Sequence, residues 1–97
     1  RGADMTKREL VVRIAEETGL VQQDVYVVIQ KTLDYITEAL MKGDTVEFRD
    51  FGVFEIRTRK PRIGRNPHRP ETPVPIPARK VVKFKAGKKM KAMLLQP

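Results

Sequence analysis

Cysteine is absent from this 97-residue sequence, which excludes disulfides, thiolate metal sites and thiol nucleophiles and suits a reducing compartment. Tryptophan is absent too, and only two tyrosines and four phenylalanines are present. No aromatic ladder interleaves the basic residues, which disfavours a platform for stacking single-stranded bases. There is one histidine, His68, with no neighbouring acid to orient it as a base. No glycine-rich phosphate loop follows a strand pattern, and no carboxylates share metal-ligand spacing on a helix face. An enzyme is therefore the least supported class, and neither a metal, a cofactor nor a small-molecule substrate is expected. No apolar run approaches the length of a membrane span, and the opening residues show no signal-peptide pattern. The chain begins at Arg1 with Met5 close behind, so "RGAD" (residues 1–4) is read as a disordered extension or tag remnant. Residues 5–97 are read as a single domain, since a chain this short builds one modest core.

Acidic residues are missing from the second half. Residues 1–56 hold seven basic and eleven acidic side chains, a net charge of −4, whereas residues 57–97 hold thirteen basic side chains and one acid, Glu71, a net of +12. Mixed signs suffice for solubility. A polarity this sharp points to a polyanionic partner for the second half.

Local patterns divide the chain further. Thr6 and Glu9 have the spacing of a capping box. Leu10, Val11, Ile14 and Ala15 follow at helical intervals, and Gly19 is placed for a left-handed cap, which predicts a helix over Lys7–Thr18. In the next segment Val25, Ile29, Leu33, Ile36 and Leu40 form one stripe, widened by Val28, Thr32 and Ala39 and ended by Gly43. Tyr26, Val27 and Tyr35 add apolar surface beyond what one short helix can cover, so this helix is expected to be shared between two subunits. From Thr45 the period changes to two. Val46 and Phe48, then Phe54 and Ile56, alternate with charged residues around "RDFG", which predicts a hairpin with Gly52 at positive φ. A third strand is read in "RKVVKFK", with Val82 and Phe84 facing in and Val81, Lys83 and Lys85 facing out. After Gly87 comes a short basic helix, about Lys88 to Leu94.

Between the second and third strands lie six of the seven prolines. Proline fixes φ and cannot donate to a ladder, so this stretch is expected to be two long strands leaving the body as an arm, about residues 59–78, with "NPHRPETP" at its tip. Arg57, Arg59, Lys60, Arg62, Arg65 and Arg69 spread charge along that ribbon. Such a ribbon can follow a groove and reach phosphates on both sides, and arginine enters narrow minor grooves. His68 reads as a phosphate contact or a solvated turn residue. Lys88, Lys89 and Lys91 conflict mildly with the dipole of the last helix, a conflict that phosphate would relieve; a solvated cationic helix is the alternative. Asn66-Pro67 by itself is a turn signal. At the tip of an arm it has a second reading, as a flat apolar wedge that enters a base step and kinks the duplex.

"GRNP" at residues 64–67, preceded by "FGVFEIRTRKPR" and followed by "IPARKVVKFKAGKKMK", resembles the HU and integration host factor family of bacterial DNA-bending proteins. "MTKRELVVRIAEETGL", "LDYITEALMKGD" and "FRDFG" resemble it in the same register, from Met5 to about Met93. The resemblance implies an α+β fold: an intertwined dimer with an N-terminal helical hairpin, a three-stranded antiparallel sheet with a long β-ribbon arm, and a short C-terminal helix. It implies Pro67 as the intercalating residue, with Arg65 and Asn66 beside it in the minor groove and Arg57, Arg59, Lys60 and Arg62 along the arm. Lys7, Lys85, Lys88 and Lys91 would hold phosphates on the flanks. His68, Arg69, Arg79, Lys83 and Lys89 complete the candidate DNA-contacting set. The implied partners are double-stranded DNA and a second copy of the chain, with a heterodimer as the variant. The implied place is the bacterial nucleoid in the cytoplasm. "PRIGRNP" and "ARKVV" resemble integration host factor, which reads particular sites through deformability; the remaining positions suit a homodimer of low specificity. The family's arm tip usually reads Thr-Gly-Glu soon after Asn-Pro; here it reads "HRPETPVP", one residue longer and without glycine. A cationic module for RNA or anionic membranes is the competing class. A-form grooves give a proline wedge less purchase, and no basic amphipathic helix carries bulky aromatics.

Overall fold

The computed structural model describes residues 4–66 and 68–95. The extension expected at residues 1–4, apart from Asp4, and the wedge expected at Pro67 fall outside the described residues. The elements run α1 (Lys7–Thr18), α2 (Gln22–Met41), β1 (Val46–Phe48), β2 (Gly52–Arg59), β3 (Arg62–Asn66), β4 (Arg69–Ile76), β5 (Arg79–Ala86) and α3 (Lys88–Leu94). They group into a helical unit, Arg1–Glu38, and a second unit, Ala39–Pro97.

The helices start and stop where the capping residues dictate. Thr6 Oγ1 accepts the backbone N–H of Glu9 at 3.2 Å, which satisfies one orphan donor of α1. Gly19 closes α1 at φ 77°, its N–H donating to the Ala15 carbonyl. At the end of α2, Gly43 at φ 85° donates to Leu40 and Asp44 donates to Ala39, a Schellman arrangement. In the helical unit, Val11, Ala15 and Val25 form a buried cluster with Ile14 and Ile29 packed against it. The rest of the α2 stripe is less covered: Ile36 is half-buried, but Leu33 is 45% and Val28 65% exposed. Tyr26, Val27 and Tyr35 are exposed as well. One copy of the chain thus leaves a broad apolar surface on its longest helix in water.

In the second unit, β1, β2 and β5 form an antiparallel sheet in that order, and β3 with β4 forms a separate two-stranded ribbon. Three sequence expectations change here. Gly52 does not take positive φ; Asp50 does, at φ 67°, in a turn closed by the Phe51 N–H on the Phe48 carbonyl. Aspartate tolerates the left-handed region because its short polar side chain can bond locally. Gly52 is required for a different reason: a Cβ there would lie 2.5 Å from the Phe84 ring and 2.6 Å from the Lys85 carbonyl oxygen. Second, the arm strands are not continuous with β2 and β5. The ladder of the body ends at the Arg59–Arg79 pair and resumes at Arg62–Ile76, with Pro61 and Pro77 in the gap. Proline offers no N–H to carry a ladder through. Third, the tip is shorter than "NPHRPETP". Asn66 pairs with Arg69, after a register shift at Arg65/Asn66, so Pro70 to Pro73 belong to β4. Pro73 and Pro75 stand opposite Arg65 and Ile63. Their spacing of two puts both missing donors on the outer edge of β4, where no partner strand needs them.

Candidate nucleic-acid interface

The alternation of β2 and β5 separates two faces of the body sheet. Phe54 opposes Phe84 and Ile56 opposes Val82, so these four residues share one face. Phe84 packs at 4.9 Å from the Phe54 ring and 5.5 Å from that of Phe51. The sequence reading put Val82 and Phe84 inside. Their shared face agrees with it, but within one chain Val82 stays 59% and Phe84 40% exposed, while Val81 on the opposite face is half-buried. Among the described residues of the same unit no layer covers the Val82 side.

The other face gathers Glu55, Arg57 and Arg59 from β2 with Arg79, Val81, Lys83 and Lys85 from β5. Five cations therefore share a surface with Glu55, the single acid on these two strands. Glu55 Oε1 accepts from Arg57 Nε and Nη2, each at 3.0 Å, and from Lys85 Nζ at 3.2 Å. The hydrogen bonds from Arg57 and then Lys85 hold its carboxyl below the usual value. Sequence reasoning passed over Glu55. The signal was present in its separation of two from Arg57, which puts both on one side of a strand.

Beyond the sheet face, the candidate residues of the second unit fall into three groups. Arg59 and Arg79 oppose each other where the body sheet ends, and Lys60 and Arg62 lead into the arm. With Pro61, Ile76 and Pro77 they line a cleft of about 290 Å³ at the arm base, four cations around an apolar floor. Arg65 and Asn66 close β3 and Arg69 opens β4, with His68 exposed in the turn between them. On α3, Lys88 and Lys89 stand in the first turn and Lys91 in the last; Gly87 caps the helix without a side-chain bond, and its N–H donates to the Phe51 carbonyl at 2.8 Å. Arg59, Lys60, Arg62, Arg79, Lys83, Lys88, Lys89 and Lys91 make no ion pair among the described residues, so their charge is available to an external anion. Lys7 belongs to the helical unit. Its ammonium bonds the Gln30 side-chain oxygen and the Tyr26 hydroxyl and lies 4.8 Å from the centre of the Tyr26 ring. Tyr26 and Gln30 thus hold Lys7 without neutralising it, a role the sequence reading had not given them. Among the described residues no cluster of histidines or carboxylates could hold a metal ion, and no helix is long and apolar enough to cross a membrane.

A small α+β body carrying a basic two-stranded arm is the apparatus of an architectural DNA-binding protein. The model of the family described as bacterial DNA-binding protein matches residues 5–94. The chain is 47% identical over 95 residues to a probable DNA-binding protein HU from Chlamydia pneumoniae, covering 98% of this chain and 95% of the relative. It is 43% identical over 94 residues to integration host factor subunit alpha from Caulobacter sp. strain K31, covering 97% and 93%. Among solved structures it resembles an Anabaena HU–DNA cocrystal structure at a TM-score of 0.86, with 40% identity, covering 96% of this chain and all of that one. The chain belongs to the HU and integration host factor family of bacterial DNA-binding proteins, which are architectural proteins and not enzymes.

Proposed function

We propose that the chain forms a homodimer that bends duplex DNA through the minor groove with low sequence specificity, within the bacterial nucleoid in the cytoplasm. The observation that carries this reading is the β3–β4 ribbon. Its base is ringed by Arg59, Lys60, Arg62 and Arg79, it carries Arg65 and Arg69 toward its tip, and its one acid is Glu71. A ribbon of this kind follows a groove while its cations bridge the flanking phosphates. Lys83, Lys85, Lys88, Lys89 and Lys91 supply further phosphate contacts along the body, and Lys7 does so from the helical unit. Pro67 enters a base step, with Arg65 and Asn66 beside it in the minor groove.

The homodimer is supported by the uncovered apolar residues of α2 and of the sheet, since a stable single copy would not leave Leu33, Val28 and Val82 in water together. Leu33→Glu is expected to convert the dimer into a largely unfolded monomer. Sedimentation equilibrium with far-UV circular dichroism checks this, and a folded dimer of unchanged mass would remove α2 from the interface.

Bending is tested by labelling both ends of a mixed-sequence duplex and recording energy transfer as protein is added. Transfer is expected to rise on binding. Affinity is expected to fall roughly 10³-fold or more between 50 and 200 mM salt, as for six or more phosphate contacts. The same salt slope without a change in transfer would mean a passive cationic coat. The similarity to an integration host factor subunit favours a second reading, site preference through deformability. Competition between random and A-tract duplexes separates the two, because a low-specificity binder prefers neither by more than a few fold.

A further inference from the structure

Lys7, in the first turn of α1, is gripped by a row of side chains on α2. Its ammonium donates to the Gln30 side-chain oxygen and, at 3.4 Å, to the Tyr26 hydroxyl, and it lies 4.8 Å from the centre of the Tyr26 ring. The Gln30 amide is itself fixed, because its nitrogen donates to Asp34 Oδ1 at 2.8 Å. Chemistry allows only this orientation. A carboxylate accepts and an ammonium donates, so the amide must turn its nitrogen to Asp34 and its oxygen to Lys7. Tyr26, Gln30 and Asp34 follow one another at intervals of four, which aligns them along one side of the helix. An ammonium has three donors. Two are taken here, and the third has no partner among the described residues. Lys7 also lines an open cleft of about 310 Å³ beside Arg8, so an external acceptor can reach it.

Resting on the DNA-binding reading above, we propose that Tyr26, Gln30 and Asp34 are positioning residues that present Lys7, fully charged, to a backbone phosphate of the duplex. A loose lysine loses rotamer freedom when its head group binds, and that loss is subtracted from affinity. Here the freedom is given up on folding, so phosphate meets an ammonium already in place. The one carboxylate of the row stands an amide away from Lys7 and leaves its charge intact. The row thus contributes order and Lys7 contributes charge. The two separate in measurement, because the slope of affinity against salt counts charges and is blind to ordering.

The test measures duplex affinity from 50 to 200 mM salt, with thermal melting, for Gln30→Ala, Lys7→Gln and the double variant. Arg13→Gln, an equal change of charge on α1 outside the cleft, is the control. Gln30→Ala is expected to bind roughly two- to tenfold weaker per protomer, the scale of ordering one long side chain, with the salt slope of the parent. Lys7→Gln should bind weaker and lose about 0.9 from the slope per protomer, while Arg13→Gln stays close to the parent. In the Lys7→Gln background Gln30→Ala should have no further effect, since the row acts only through Lys7. Tyr26→Phe keeps the ring beside the ammonium and should weaken binding by only about twofold. If Gln30→Ala melts far below the parent, Gln30→Met, which keeps the stem and the helix preference without the oxygen, repeats the measurement. Binding equal to the parent by a folded Gln30 variant would overturn the proposal. So would the same loss with and without Lys7, which would make Gln30 a structural residue only. Failure of the DNA-binding reading is distinguished by the parent protein itself, which would then show no steep salt slope.

Discussion

Pro67→Ala is expected to abolish most of the energy transfer that the protein induces between the ends of a duplex, while the dimer and its melting temperature stay unchanged. The reason lies in what each part of the interface contributes. Bending a 20–30 base-pair site by 40–90° costs about 1–6 kcal/mol by elastic estimates. A wedge reduces that cost by concentrating the bend at an unstacked step, where a flat ring without a donor leaves nothing unsatisfied. Alanine is too small to hold a base step open, so the bend should relax. Affinity should fall less, by no more than about tenfold at low salt, because phosphate contacts dominate it and the cations are untouched. A duplex labelled at both ends reads the first effect and a titration at fixed salt the second. Unchanged transfer would remove the wedge role of Pro67 and leave the bend to the cations alone.

The second large effect concerns folding. Gly52→Ala should destabilise the protein by roughly 3 kcal/mol, the upper end of the usual range for overpacking. The added Cβ would lie 2.5 Å from the Phe84 ring and 2.6 Å from the Lys85 carbonyl, and the carbonyl belongs to the neighbouring strand and cannot rotate away. Both contacts fall in the β2–β5 ladder, so yielding there disturbs the Phe54–Phe84 pair as well. For a domain of this size such a loss lowers the melting temperature by more than ~10 °C. Gly64→Ala in the arm provides the contrast. There the new Cβ meets the end of the Ile76 side chain at 2.8 Å, a group that can turn aside. Its melting temperature should stay within a few degrees of the parent. Equal losses for the two substitutions would show that backbone crowding is not what Gly52 relieves.

Much of this architecture was legible before any coordinates. Helix boundaries at Lys7 and Thr18 follow from capping residues and apolar period, which act over one or two turns and need no tertiary context. Membership of the family was legible because "GRNP" and its flanks combine a turn, a charge run and a strand period in one register. The misjudged details share a cause. Glycine at position 52 of "RDFG" is required by the Phe84 ring, a partner more than thirty positions away in the chain, while positive φ falls on Asp50. The arm tip shrank because Asn66 found Arg69, a pairing that local turn preferences do not specify. Glu55 escaped notice because a carboxylate's partners depend on strand register, and Lys85 reaches it diagonally rather than from the opposing position.

The sequence by itself determined the class of partner: twenty cations against twelve acids leave a net charge of +8 that no fold can neutralise from within, and thirteen of those cations follow residue 56. It also determined that an arm exists, since six prolines in seventeen residues forbid a helix there. Only the tertiary structure decided how that charge is distributed. Strand pairing places five cations on one sheet face and the aromatic residues on the other, lends two of those cations to Glu55, and leaves the rest of the arm base unpaired. The reason is physical: net charge is a property of composition, whereas ion pairing falls off over a few ångströms and so depends on which strand lies beside which.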